Sequence, residues 1–201
     1  MPTLTWPTLT RSLPSQFEWA LASNTQTFTS PLSGAIQTLE MPGARWTVAF
    51  SLSAMDAADA AQWRAFTAKL RGQAGRFYLW NMARPTPRGI ATGTPVVSGA
   101  GQTGNTLVTS GWTPSTTGIL KTGDFFGVNG ELKLVVADAT SDGSGVATLT
   151  FEPPLRSSPP NASALTTNKP TATFKLDESV SRWITNAPAF DSISIAATEV
   201  W

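Results

Sequence analysis

The stretch from Ala44 to Leu52 alternates so strictly that a strand is the only regular element that can use it. Trp46, Val48, Phe50 and Leu52 fall on one face, and Arg45, Thr47, Ala49 and Ser51 on the other, the period of a half-buried β-strand. Shorter alternations recur at residues 17–21, 26–29, 75–80, 173–176 and 192–195. Between them, 16 Gly and 15 Pro with abundant Ser and Thr mark frequent turns, so most strands must be short.

One segment breaks the pattern. Residues 57–71 carry Trp63, Phe66 and Leu70 at helical spacing, a stripe wide enough to pack on a sheet. Asp56 reads as the N-cap, with Asp59 in the first turn, Lys69 and Arg71 at the C-terminal end, and Gly72 as the stop. The strand ending at Trp80, with Tyr78 on the same side and Phe77 and Leu79 on the other, makes Trp63 and Trp80 the expected core anchors. Arg84-Pro85-Thr86-Pro87-Arg88-Gly89 then marks a boundary.

From about Thr92 to Asn168 the strands become shorter and closer. Candidates lie at 106–109, 125–128, 132–136 and 146–151. Asn129-Gly130 is a strong two-residue hairpin signal, and Asp142-Gly143-Ser144-Gly145 reads as a second. The expected fold is mainly β: a β-sandwich with one packed α-helix and an inserted small β-barrel or sandwich module. Residues 1–85 plus 171–201 would form the host around helix 57–71, and residues 86–170 the inserted module. Two isolated strands are marginal in water, so the strands after residue 170 are expected to complete the sheet begun at residues 17–80.

Composition narrows the chemistry. The chain of 201 residues has no His and no Cys, which excludes Ser-His-Asp and Cys-His catalysis, His-ligated zinc, Cys-ligated clusters and disulfides. A net charge of +1 gives no electrostatic footprint for nucleic acid. Charged residues are only 13%, while hydrophobic residues reach 41% with eight Trp and ten Phe. Such a chain has material for a core and for large contacts, and suits an assembly subunit better than a lifelong monomer. The first residues show no basic, apolar signal-peptide pattern, and no apolar run is long enough for a membrane helix. The expectation is therefore no membrane insertion and no secretion on its own.

Each motif suggestive of chemistry has a plainer reading beside it. Asp138-Ala139-Thr140-Ser141-Asp142-Gly143 opens like a calcium loop, but Leu149 stands where an EF-hand needs its bidentate Glu. Asp124 with Glu131, or Asp177 with Glu178, are the candidate carboxylate pairs for hydrolysis, against solvated turn carboxylates. Gly99-Ala100-Gly101-Gln102-Thr103-Gly104 has glycines but neither the strand nor the helix that a phosphate cradle requires. Arg64, Lys69, Arg71 and Arg76 form a mild positive cluster, read as a solvated helix face, a subunit contact or a channel lining. No residue is assigned a catalytic, cofactor-binding or metal-binding role, and no cofactor is expected.

The order of features resembles a known family. A strand with Ala44-Arg45-Trp46-Thr47-Val48-Ala49-Phe50 leads to a helix with Trp63-Arg64-Ala65-Phe66, then to the segment from Gly72 to Trp80 before Pro-containing sequence. This looks like the tail-tip proteins of long-tailed, siphophage-type bacteriophages, the minor or distal tail proteins that cap the tail tube. Residues 120–126, Gly130-Glu131-Leu132-Lys133-Leu134-Val135 and the run from Asp142 to Leu155 are similar to inserts in such proteins. The resemblance implies a non-enzymatic structural protein of the virion, assembled in the host cytoplasm. It would form a homo-hexameric ring around the DNA channel, joining the tail tube protein to the hub, baseplate and other tail-tip proteins. DNA would pass without sequence-specific binding. The lead from Met1 to Thr10 departs from the family and gains no role from it. The alternative is a carbohydrate- or receptor-binding β-module of the tail, in which a Trp such as Trp112 would stay exposed as a stacking platform.

Overall fold

The computed structural model describes residues 3–7, 14–186 and 190–201. In chain order the first strands are β1 (Gln16–Ala22), β2 (Thr25–Thr29), β3 (Ile36–Glu40), β4 (Arg45–Met55), β5 (Phe77–Trp80), β6 (Gly93–Val97), β7 (Gly104–Trp112) and β8 (Thr117–Leu120). They are followed by β9 (Phe125–Val128), β10 (Glu131–Val135), β11 (Ala139–Thr140), β12 (Ala147–Leu155), β13 (Leu165–Thr166), β14 (Thr171–Leu176), β15 (Ile184–Asn186) and β16 (Phe190–Glu199). Among the described residues a single α-helix, α1, spans Ala57–Leu70 between β4 and β5. The chain is thus mainly β, a sandwich-type body with one packed helix and a small barrel-like module, the class its alternation and turn content imply.

Contacts divide the chain into two compact units. The first gathers Met1–Ala22, Arg45–Leu79 and Ala172–Trp201; the second gathers Ser23–Ala44 and Trp80–Thr171. Residues 23–44, placed with the host in the sequence reading, cluster with the second unit.

The first unit is built on a sheet in the order β1-β4-β16-β14-β5, with β15 pairing the start of β16. Register places Phe17 opposite Phe50, Trp19 opposite Val48 and Leu21 opposite Trp46, and Ile193, Ile195 and Ala197 opposite Leu52, Phe50 and Val48. One continuous apolar face results, because opposed residues of paired strands share a side. Trp63, Phe66 and Leu70 of α1 are buried with it, and Phe66 meets Phe77 edge-on at 5.7 Å.

Helix α1 begins as its sequence dictates: the Asp56 carboxylate accepts from Asp59 N–H at 2.8 Å. Its end follows the sequence as well: Gly72, the residue after the C-cap, has φ 64° as a C′ glycine does, and Arg71 before it is also left-handed (φ 51°), with its N–H returned to Ala68 O. Gly72 is needed for a second reason: a Cβ there would lie 2.6 Å from Ser179 O. The N-terminal lead also gains a role. Leu4 bonds through its backbone to Arg76 and Tyr78 along β5, and the Trp6 ring sits 4.8 Å from Trp63 and 5.0 Å from Phe50.

In the second unit, β13-β9-β10-β12-β7-β6 form a six-stranded sheet. Val97 N–H bonds to Ser163 O, and Ala162 N–H bonds back to Val97 O, so β6 returns toward β13 and the sheet nearly closes into a barrel. Asn129 (φ 50°) and Gly130 (φ 79°) make the β9–β10 turn with both dihedrals positive, as a two-residue hairpin of this type requires. Asp142–Gly145 is not the second hairpin expected. It turns the chain between β11 and β12, but β11 pairs with β8 instead, and Asp142 satisfies the turn by accepting from Ser144 and Val146 N–H.

The strands that flank residues 86–170, β5 and β14, are neighbours in the first unit's sheet. Joining Pro85 to Thr171 by a short Gly-Ser linker is therefore expected to leave a protein that still unfolds cooperatively by circular dichroism. A broad, non-cooperative melt of that deletion would show that the first unit cannot stand without the segment.

Candidate functional site

The carboxylates singled out by sequence go to different places. Asp124 is buried, not solvated as expected: Oδ1 accepts from Arg88 N–H at 2.7 Å, and Oδ2 accepts from Gly89 N–H at 3.0 Å and Lys121 N–H at 2.8 Å. Glu131 is buried as well, 2.7 Å from the Lys133 ammonium, and it also accepts from the N–H groups of Arg156 and Ser157. Loops that return over the barrel carry backbone donors out of water, and each such donor needs an acceptor. Those carboxylates are the acceptors, with their lone pairs committed to the fold.

Asp177 and Glu178 are exposed and do not converge. Glu178 instead lines a groove of about 310 Å³ on the outer face of the first unit's sheet, with Gln16 and Glu18 of β1, Ser51 of β4 and Ser194 of β16. The calcium-like segment is spent on turns. Asp138 accepts from the backbone and hydroxyl of Thr122, and these donors hold its carboxyl below the ordinary aspartate value. Among the described residues no three His, Cys, Asp or Glu side chains gather at metal-binding distance.

The glycine-rich segment after β6 closes on itself. Gln102 donates to Ser98 O at 2.9 Å and accepts from Val108 N–H at 2.7 Å, which ties the loop to β7. The basic cluster is also dispersed. Arg64 pairs with the buried Asp191, itself bonded to Thr185, and Arg76 wraps the carbonyls of Gln73, Ala74 and Gly75. Among the described residues Lys69 and Arg71 stay exposed at the end of the helix and pair with no carboxylate, and the four basic side chains form no single patch.

The aromatic candidates separate in the same way. Trp63 is fully buried, as expected of a core anchor. Trp80 is not one: it is half-buried, with the Lys169 ammonium 5.3 Å from its ring centre, while Phe77 and Leu79 take the core face of β5. Trp112 is 3% exposed and donates Nε1–H to Thr109 Oγ1 at 2.8 Å, so it is no stacking platform.

What sequence reasoning missed is the surface. The β2–β3 pair is exposed along both strands, and Phe28, Leu32, Ile36 and Leu39 present 55%, 99%, 66% and 52% of their area to solvent. The signal was present as a hairpin in which apolar residues fall on both faces, with no polar-out alternation. Buried Glu199, whose Oε2 accepts from Trp46 N–H at 3.0 Å, gave no such sign. Among the described residues no helix is long and apolar enough to cross a membrane. No family model matches the chain, and no curated protein matches it significantly.

Proposed function

We propose that the chain is a structural protein of a siphophage-type tail tip, a distal or minor tail protein that joins the tail tube to the hub or baseplate. It would act as a homo-hexameric ring in the virion, around the channel through which DNA passes. The observation that carries the reading is the exposed β2–β3 hairpin. A soluble monomer seldom leaves a hairpin with Phe28, Leu32, Ile36 and Leu39 all more than half exposed without a partner, and the low charged fraction of 13% extends the same argument to the rest of the chain. The strand–helix–strand order of residues 44–80 adds the family likeness.

The carbohydrate-binding alternative loses its named platform with Trp112 buried, and the exposed Trp183 and Trp201 lie in the first unit rather than in the β-module. A hydrolase reading would need Asp124 or Glu131 to leave backbone donors unpaired.

The test is co-assembly. Purified protein mixed with tail tube and hub proteins of the same phage should give six-fold rings capping tubes in negative-stain images. In parallel, Asp177→Asn and Glu178→Gln phage should assemble intact tails of normal infectivity. Protein that binds neither partner, or cleavage of cell-wall or capsule polysaccharide abolished by either substitution, would overturn the reading.

A further inference from the structure

β2 and β3 pair only with each other among the described residues, in an unbroken register from Thr25↔Glu40 to Thr29↔Ile36. An isolated two-stranded hairpin is marginal in water. Proteins guard such edges with Lys, Pro, bulges or a covering element. Neither strand, TQTFT or IQTLE, contains Lys or Pro, and residues 25–40 carry a single charge, Glu40. Register gives the hairpin two distinct faces. Phe28 and Leu39 lie on one, with Gln26 and Gln37; Ile36 and Glu40 lie on the other.

The same chain holds a surface of matching form. β1 is an outer strand of the first unit's sheet, seven residues long against five for each hairpin strand, and it too lacks Lys and Pro. Beside it on the outer face runs the groove of about 310 Å³, floored by the small residues Ser51, Ser194 and Ala196 and walled by Gln16, Glu18 and Val180. Apolar knobs on one surface and a strand edge beside a vacant trough on the other are the two halves of a strand-addition contact.

We infer that the β2–β3 hairpin docks along β1 of a second copy of this chain, with Phe28 and Leu39 turned onto the groove. Charge is consistent with that face: Glu40 points to the opposite side, away from Glu18 and Glu178, and the docking face brings no acid to the acidic rim. Because donor and acceptor are different surfaces, the contact is heterologous and leaves each copy able to bind two neighbours. The inference deepens the tail-junction reading and rests on it for the closure of these contacts into a ring.

The test uses the full chain and two exposed sites. Phe28→Asp with Leu39→Asp removes the donor, and Ser194→Trp fills the acceptor; thermal melting checks that each stays folded. In sedimentation at tens of micromolar, wild type should run well above 21.3 kDa, and each variant alone should run as monomer. An equal mixture of the two should form a dimer and nothing larger, since one donor and one acceptor remain. Ile36→Asp, on the other hairpin face, should weaken association at least tenfold less than the Phe28 and Leu39 changes. Wild type that stays monomeric, variants that assemble like wild type, or a mixture with no dimer would each overturn the docking. Rings that persist in both variants would leave the tail-junction reading standing, whereas docking without affinity for tail tubes would do the reverse.

Discussion

Trp63→Ala should lower the melting temperature sharply, at a cost of ~3–5 kcal/mol. The indole is fully buried and meets three rings: Trp6 at 4.8 Å and 83°, Phe66 at 5.4 Å and 90°, and Phe50 at 6.0 Å. Edge-on aromatic pairs add about 0.5–1.5 kcal/mol each beyond the area they bury. A loss of that size is a large part of the ~5–15 kcal/mol that holds a typical domain together. Trp63→Phe should cost distinctly less. Nε1 has no hydrogen-bond partner among the described residues, so the smaller ring forfeits volume and no polar interaction. Trp183→Ala is the comparison: Trp183 is 41% exposed and donates Nε1–H to Thr67 Oγ1 at 3.2 Å, worth about 1 kcal/mol. Thermal melts of the three variants give the order. A Trp63→Ala protein that melts like wild type would move Trp63 out of the core.

The features legible in the sequence are those that local chemistry decides. β4 could be read because its two faces meet different environments at every step, and α1 because Asp56 and its apolar stripe lie within one segment. The β9–β10 turn could be read because Asn129-Gly130 tolerates positive φ. Burial of polar groups is decided elsewhere in the chain. Asp124 is buried because residues 88–89 arrive over it, and Glu131 because residues 156–157 do. Glu199 is buried because β4 presents the Trp46 N–H to it. No window around these residues holds that information. Trp6 was illegible for the same reason, since its slot is assembled from β4, α1 and β5. β6 and β13 failed differently: one contains Pro95 and the other is two residues long, too little for periodicity to register. The β2–β3 hairpin was half legible. Its first strand could be read, but the sign of exposure, apolar residues on both faces, emerges only when β2 and β3 are paired.

The second large effect concerns Glu131 and Lys133. The Lys133 side chain is fully enclosed and that of Glu131 is 8% exposed, with 2.7 Å between ammonium and carboxylate. Nζ also donates to Pro154 O at 2.8 Å and lies 5.8 Å from the Phe151 ring centre. Taking two charges out of water is costly, and their attraction offsets the cost only while both are present. Lys133→Met should therefore destabilise the protein by ~3–5 kcal/mol, because it strands a buried carboxylate. Glu131→Gln should cost a similar amount by stranding the ammonium. It keeps one oxygen, which serves the Arg156 N–H on the Oε2 side, while its NH2 takes the Oε1 place and leaves the Ser157 N–H without that acceptor. Combining the two substitutions removes both charges and retains the oxygen for Arg156, and the double variant should be more stable than either single one. A double-mutant cycle in urea measures the difference directly. Additive losses would mean that the charges do not depend on each other, and that the barrel tolerates each alone by admitting water to it.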